Sequence, residues 1–332
     1  MIDWGLARAV AVAAAGDGAG SLAAPVDLEA LAAEAAPRIA ARAGLQAADL
    51  PPLEWVDRRA WIEANLASFE VVLGPALAQL PPPPAPLRGL ASGLLAAELG
   101  ALLGVVGRRV LGQYDVRLVR GPSPRRLLLV APNLDGAAAE LGVDRTELVS
   151  WVAIHELTHA VQFSGAPWLR PWLAGRIERL LGLLQERPDP RALLADPRAL
   201  VARVVQDGPA AVLLTGERGE AVAELQAAMS LVEGHAEWVM DEVGGELLGD
   251  VAGLRAALAR RRDGRPVLLR VLDRLLGFDL KLRQYRQGRA FCDAVVAGGG
   301  EAALTRAWTS QKTLPAPAEL ADPGAWLART AV

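Results

Sequence analysis

Most of the chain alternates hydrophobic and polar residues with the period of an α-helix. Long stretches rich in Ala, Leu, Arg and Glu place apolar residues three and four positions apart, which is typical of helices with a buried face. The chain is therefore expected to be mainly α-helical. The pattern predicts helices over approximately residues 27–43, 57–72, 87–111, 144–163, 170–185, 190–205, 217–242, 250–260, 266–276 and 280–297.

One short region departs from the helical period and predicts β-structure. Residues 114–119 alternate polar and apolar side chains, residues 121–124 (Gly-Pro-Ser-Pro) are a turn signal, and residues 126–130 form a short apolar run. We expect a β-hairpin or a pair of strands here. The predicted fold class is thus mainly α with a small hairpin or sheet, that is, α+β.

A proline-rich run, residues 81–86, divides the chain into two regions. It reads Pro-Pro-Pro-Pro-Ala-Pro, which excludes helix and predicts a rigid connector. Residues 1–86 are predicted to form an N-terminal helical region, and residues 87–332 carry the motifs described below. Apolar helices flank the run closely on both sides, so we expect the two regions to pack as one globular unit.

Composition and charge exclude several classes of protein. Lys and Arg number 35 against 38 Asp and Glu, a net charge of −3, so the basic surface that nucleic-acid binding requires is not expected. Hydrophobic residues make up 52% of the chain and charged residues 22%, which excludes a disordered protein. The single cysteine, Cys292, excludes an intrachain disulfide framework and a cysteine-rich metal site.

A mean hydropathy of +0.24 raises the question of a membrane protein. The strongest candidate span, residues 90–106, has Glu98 at its centre and is barely long enough to cross a bilayer. Near the N-terminus, Asp3 stands where a secretory signal needs basic residues. We therefore expect residues 90–106 to be a buried helix of a soluble, cytoplasmic protein without a membrane partner.

The first motif that carries chemistry is His155-Glu156-Leu157-Thr158-His159. Two histidines four positions apart lie on one face of a helix, about one turn from each other, so both can bind one ion. Glu156 can then reach a water bound to that ion. The helix has a predicted capping box of Asp144 and Glu147 at its start. The sequence therefore predicts a zinc site on this helix.

The third ligand is expected from a second motif, Glu233-Gly234-His235-Ala236-Glu237. A hydrolytic zinc site takes three protein ligands and keeps a fourth position open for water. Glu233 and Glu237 share one helix face, whereas His235 points about 200° away from Glu233. The geometry favours Glu233, with His235 as the alternative ligand or as a packed side chain. Glu237 could then accept a hydrogen bond from a ligand histidine, and Gly234 would let the two helices approach closely.

Together the two motifs resemble those of the glutamate-type zincin metallopeptidases, whose third-ligand helix often contains Glu-Gly-x-Ala-Glu. The chain is more closely similar to a bacterial zincin-like family of zinc-dependent metalloproteases or hydrolases that has been linked to deazaflavin-coenzyme biosynthesis. The similarity covers most of the chain, and the matching segments are residues 61–66, 111–115, 129–133, 162–163, 167–170 and 284–291.

This resemblance implies a zincin fold with Zn²⁺ as the cofactor, and it makes the region after the proline run the catalytic one. It implies that His155, His159 and a residue of 233–237 bind the zinc and that Glu156 is the general base. The two motifs are farther apart than in many glutamate zincins. Residues 170–215 are therefore expected to be an insertion that shapes or covers the cleft.

The implied reaction is peptide hydrolysis by a zinc-bound water that Glu156 deprotonates, with the proton passing on to the leaving amine. Tyr285 and Arg289 are four positions apart on a predicted helix. They are candidates for an oxyanion donor and a carboxylate-binding group, and a pairing unrelated to the site is the alternative. The predicted hairpin could bind an extended peptide by strand addition.

Two other functions fit the same motifs. One is a zinc-dependent amidase that acts on a small molecule, and its substrate would be a small amide instead of a peptide. The other is a non-catalytic zincin-like scaffold. Glu156 argues against the scaffold, because a structural zinc needs no general base and usually has four protein ligands.

Overall fold

The computed structural model describes residues 2–18, 20, 23–78, 84–115, 125–185, 216–263 and 278–331. Within these ranges only the backbone is described for residues 76–77, 184–185, 261–263 and 278–286. The predicted helices over 190–205 and 266–276 lie outside the described residues, as do residues 81–83 of the proline run and part of the predicted insertion.

Helices dominate the described chain, which confirms the mainly α class. They are α1 (Trp4–Ala15), α2 (Leu28–Ala43), α3 (Arg58–Ala78), α4 (Arg88–Gly107), α5 (Ala131–Leu141), α6 (Arg145–Gly165), α7 (Leu169–Gln185), α8 (Glu217–Leu247), α9 (Val251–Asp263), α10 (Phe278–Gly299), α11 (Glu301–Thr305) and α12 (Pro323–Thr330). Short 3₁₀ turns occur at Ala85–Leu87, Arg306–Trp308 and Gln311–Thr313. The helical period did not predict α1, α5, α11 or α12.

The described chain also contains a three-stranded sheet, in which the strands lie in the order β1-β3-β2. Strand β2 (Gly112–Asp115) pairs antiparallel with β3 (Arg126–Val130), which confirms a pair of strands in this region. The rest of the predicted first strand, residues 116–119, and the predicted turn at 121–124 lie outside the described residues. Strand β1 (Leu53–Val56), which was not predicted, pairs parallel with the other side of β3. Strand β3 is paired on both edges, and its side chains pack into an apolar cluster on each face of the sheet, so its last four residues are fully buried.

The described chain forms two compact units. The first comprises residues 1–40, 47–164 and 243–258, and the second comprises residues 41–46, 165–242 and 259–332. In the first, the sheet lies between two apolar clusters, one built on α1, α3 and α4 and the other on α5, α6 and α9. In the second, α10 packs against α11 and α12. The predicted division of the chain at the proline run stays a prediction.

Helix α4 is packed on one side only, so it is less buried than the sequence predicted. A methyl group on Gly100 would overlap the Ala7 carbonyl of α1, and one on Gly104 would overlap Ala14. Other positions of the helix carry leucines that stay exposed, namely Leu90, Leu94 and Leu95, and Leu87 in the turn before the helix is exposed as well. Within the described residues, Ala85–Gly107 alone is long and apolar enough to cross a membrane. Only 22% of its apolar 18-residue stretch is buried in the structure. One such helix is weak evidence for a membrane span.

The start of α6 fixes the helix that carries the first motif. The Asp144 carboxylate accepts a hydrogen bond from the Glu147 amide at 2.9 Å, which is one of the two bonds of the predicted capping box. The Glu147 carboxylate, in contrast, accepts from the amide of Gly249 at 3.1 Å. The Glu147 side chain thus ties the start of α6 to the segment that precedes α9.

Candidate metal centre

Helix α6 brings the two motif histidines together. The Nε2 atoms of His155 and His159 are 3.2 Å apart, and the rings meet edge to face with centroids 4.6 Å apart. His155 is partly exposed, whereas His159 is only 9% exposed. The two Nε2 atoms therefore converge on one point, as the four-residue spacing predicted.

Glu233 of α8 completes a group of three ligands. One ligand atom each from His155, His159 and Glu233 lie within 4.8 Å of one another. Two imidazole nitrogens and one carboxylate oxygen are a donor set that zinc accepts in catalytic sites. Zinc–nitrogen bonds of about 2.0–2.1 Å put two nitrogens of a tetrahedral site about 3.3 Å apart, close to the spacing of the two histidines. The residues present thus fit a zinc ion with a fourth position left for water.

The carboxylate of Glu156 is held by strand β2. The Tyr114 amide donates a hydrogen bond to Glu156 Oε2 at 2.7 Å, and Glu156 is only 7% exposed. The strand comes this close because residue 112 is glycine. A Cβ at that position would lie 2.9 Å from Glu156 Cγ and 2.7 Å from Val152 Cγ1. The Tyr114 ring adds a contact with Phe163 of α6, with centroids 5.7 Å apart.

This hydrogen bond refines the predicted role of the hairpin. Strand β2 pairs with β3 along one edge, and the Tyr114 amide on its other edge already donates to Glu156. A peptide added to β2 would therefore compete with Glu156 for that amide or pair with other groups of the strand.

His235 lies in an aromatic environment. It is 1% exposed, and its ring lies 5.9 Å from the ring of Trp238 and 4.7 Å from that of Trp308. The guanidinium of Arg42 covers the Trp238 ring at 3.8 Å. These contacts support the interpretation of His235 as a packed side chain, and the ligand group contains Glu233.

Gly234 does allow a close helix approach, but the partner that the structure describes is α10. A Cβ on Gly234 would overlap the Gly288 carbonyl carbon and the Arg289 nitrogen. A Cβ on Gly288 would overlap the Ser230 carbonyl oxygen. The two helices therefore cross at a pair of glycines directly beside Glu233, and their packing fixes the backbone that carries this ligand.

We expect Gly288→Ala to destabilise the protein by about 3 kcal/mol, because the added methyl group overlaps backbone atoms that cannot rotate away. Urea unfolding of the purified proteins measures this change. Gly245→Ala is the matched control, since Gly245 lies on α8 with nothing within 4 Å of its Cβ position. The control is expected to stabilise the helix by up to about 1 kcal/mol. Equal stability of Gly288→Ala and wild type would contradict the glycine crossing.

The contacts of Arg289 support its alternative interpretation as a pairing residue. Its guanidinium donates to Asp293 at 2.8 Å, to Asp241 of α8 and to the Glu237 carbonyl oxygen at 3.2 Å. These bonds tie α10 to α8. The side chain of Tyr285 lies outside the described residues, so its role stays a prediction. The bond that Glu237 was predicted to make with a ligand histidine also stays a prediction.

Two groups that contact the site residues were not predicted from the sequence, namely the backbone amide of Tyr114, which binds Glu156, and the side chain of Gln162, which lies against His159. Gln162 Oε1 lies 2.9 Å from His159 Nδ1, and Gln162 is fully buried. The spacing of three residues on one helix was a usable signal, because it places the two side chains on the same face.

Cys292 is fully buried, and this burial raises the pKa of its thiol, so it stays protonated and unreactive.

Comparison with known proteins identifies the family of the chain and a solved structure with a similar fold. The profile of the zincin-like metallopeptidase family matches residues 2–327, so the chain belongs to this family. The fold is similar to that of a crystal structure from Chloroflexus aurantiacus, which is provisionally assigned as a hydrolase with a novel fold. The TM-score is 0.71 at 31% identity, over 99% of this chain and 98% of the other. No protein with a curated function matches the chain.

The family match confirms the resemblance inferred from the two motifs, and it supports a metal-dependent hydrolase in general.

Proposed function

We propose that this protein is a zinc-dependent metallopeptidase. The observation that carries the proposal is the convergence of His155, His159 and Glu233 on one point, with ligand atoms within 4.8 Å of one another. Membership of the zincin-like family supports the same class of reaction. A carboxylate next to a three-ligand site favours catalysis over a structural metal, which usually has four protein ligands.

His155, His159 and Glu233 would hold the zinc ion. A zinc ion in such a site lowers the pKa of water and polarises the carbonyl group under attack. Glu156 accepts the proton of the attacking water and delivers it to the nitrogen that leaves. The Tyr114 amide holds this carboxylate at 2.7 Å and keeps it oriented while it exchanges protons.

The position of β2 supports a peptide as the substrate. The strand passes the Glu156 carboxylate at hydrogen-bond distance, so an extended chain that pairs with groups of β2 other than the Tyr114 amide would bring its backbone to the general base. A small amide would need no strand beside the carboxylate. We therefore favour peptide-bond hydrolysis over the small-molecule amidase.

The metal is tested first. We expect the purified wild-type protein to contain about one zinc per chain by elemental analysis, as a three-ligand catalytic site requires. His155→Ala is expected to lose it, because two ligands remain. Circular dichroism of both proteins controls for folding. Wild-type protein that binds no zinc, or His155→Ala that retains it, would overturn the proposed site.

The substrate is tested with a peptide library, digested by wild-type protein with zinc and after removal of zinc by a chelator. Cleavage that depends on zinc and returns when zinc is added back would support the proposal. Cleavage that persists without zinc contradicts it. A zinc-loaded protein that cleaves no peptide also contradicts it and favours a small amide substrate or a scaffold.

A further inference from the structure

We propose that Gln162 is a positioning residue that fixes the tautomer of His159, so that its Nε2 lone pair is available to a metal. The inference rests on the proposed function, because it concerns the zinc ligands. It goes beyond that function by assigning a role to a side chain outside the motif.

The geometry of α6 brings the two side chains into contact. Gln162 is one turn after His159, and its Oε1 atom lies 2.9 Å from His159 Nδ1. In this orientation the amide oxygen accepts a hydrogen bond, which assigns the proton to Nδ1. The proton on Nδ1 leaves Nε2 with its lone pair, and Nε2 is the atom that faces His155 at 3.2 Å. Histidine binds metal through a nitrogen without a proton.

Burial makes this arrangement persistent. Gln162 is 0% exposed and His159 is 9% exposed, so solvent does not compete freely for the bond. A buried polar group that loses its partner carries a desolvation cost, which opposes rotation of the amide away from the ring. The ring is thereby held in one orientation before any metal arrives, and ligand histidines are typically oriented by such an outer hydrogen bond.

The neutral amide also suits the charge of the site. Glu156 and Glu233 are two carboxylates in this region, at 7% and 5% exposed, and both are needed in the proposed mechanism. A carboxylate at position 162 would add a further buried negative charge, which is costly without a partner. Gln162 supplies the acceptor oxygen without that charge.

The tautomer can be measured without any substitution. Two-bond ¹H–¹⁵N spectra of protein labelled at histidine distinguish Nδ1–H from Nε2–H, and the chain contains only three histidines. Comparison with His159→Gln assigns the His159 signals. In zinc-free wild-type protein we expect His159 as the Nδ1–H tautomer. His159 with its proton on Nε2 would overturn the proposal, whatever the outcome for zinc.

The effect on zinc is tested with two variants of similar size. Gln162→Leu removes the acceptor, and we expect its zinc affinity, measured by chelator competition, to fall about 10- to 100-fold. Gln162→Glu restores an acceptor oxygen, and bound zinc would give its added charge a positive partner. We therefore expect its affinity to stay closer to that of the wild type than the affinity of the leucine variant. Unchanged affinity in Gln162→Leu contradicts the proposal, as does an equal loss in both variants. Absence of zinc from wild-type protein would instead contradict the proposed function.

Discussion

Glu156→Gln is expected to lower the rate of peptide hydrolysis about 10²- to 10⁴-fold while the protein keeps its zinc. The amide of glutamine cannot accept the proton of the attacking water. Its oxygen can still accept the hydrogen bond from the Tyr114 amide, so the local structure should be retained. The measurement is kcat/KM on a peptide identified in the library digest, together with the zinc content of the variant.

Glu147→Gln is the matched control for this experiment. It makes the same chemical change on the same helix, at a carboxylate that binds the Gly249 amide. We expect it to leave kcat/KM within about twofold and to change stability by about 1 kcal/mol at most, as a modest hydrogen-bond change should. Full activity in Glu156→Gln would remove Glu156 as the base. Loss of zinc from this variant would show that the substitution acts on the metal site.

The second large effect is expected at the third ligand. Glu233→Gln should weaken zinc binding by more than the 10- to 100-fold that is typical of substitutions beside a metal ligand. The reason is that Glu233 supplies the one negative charge among the three ligand side chains of the group. The affinity is measured by chelator competition, as for Gln162.

His235→Phe is the matched comparison, two positions along the same helix. The ring lies against two indoles, so an aromatic side chain of similar size should pack there, at a cost below about 1.5 kcal/mol. We expect this variant to bind zinc like the wild type. The reverse result, with zinc lost from His235→Phe and retained in Glu233→Gln, would make His235 the third ligand.

Contacts within one helix were predictable from the sequence. The spacing of His155 and His159 fixes their common face through the helical period, whatever surrounds the helix. The same period separates Glu233 from His235, and the structure places these two residues in different surroundings. Likewise, an apolar run bounded by turn signals predicted β3, and alternating polar and apolar residues predicted its antiparallel partner.

Contacts between elements were decided by the tertiary structure. Gly234 was predicted to allow the two motif helices to approach closely. The sequence does not identify the helix that packs at this glycine, and in the described structure it is α10, at Gly288. The Tyr114 amide reaches Glu156 only because the strand and α6 pack against each other. The exposed leucines of α4 have the same cause, because glycines on one face of that helix fit α1 and nothing described covers the other face.

The sequence by itself thus determined which residues can bind a metal and which helices carry them, because local spacing and residue chemistry set both. The tertiary structure decided what holds these residues in place: an amide from β2 for Glu156, a buried glutamine for His159 and a glycine crossing beside Glu233. The physical reason is that such contacts join residues distant in sequence or depend on burial, and neither leaves a periodic signal along the chain.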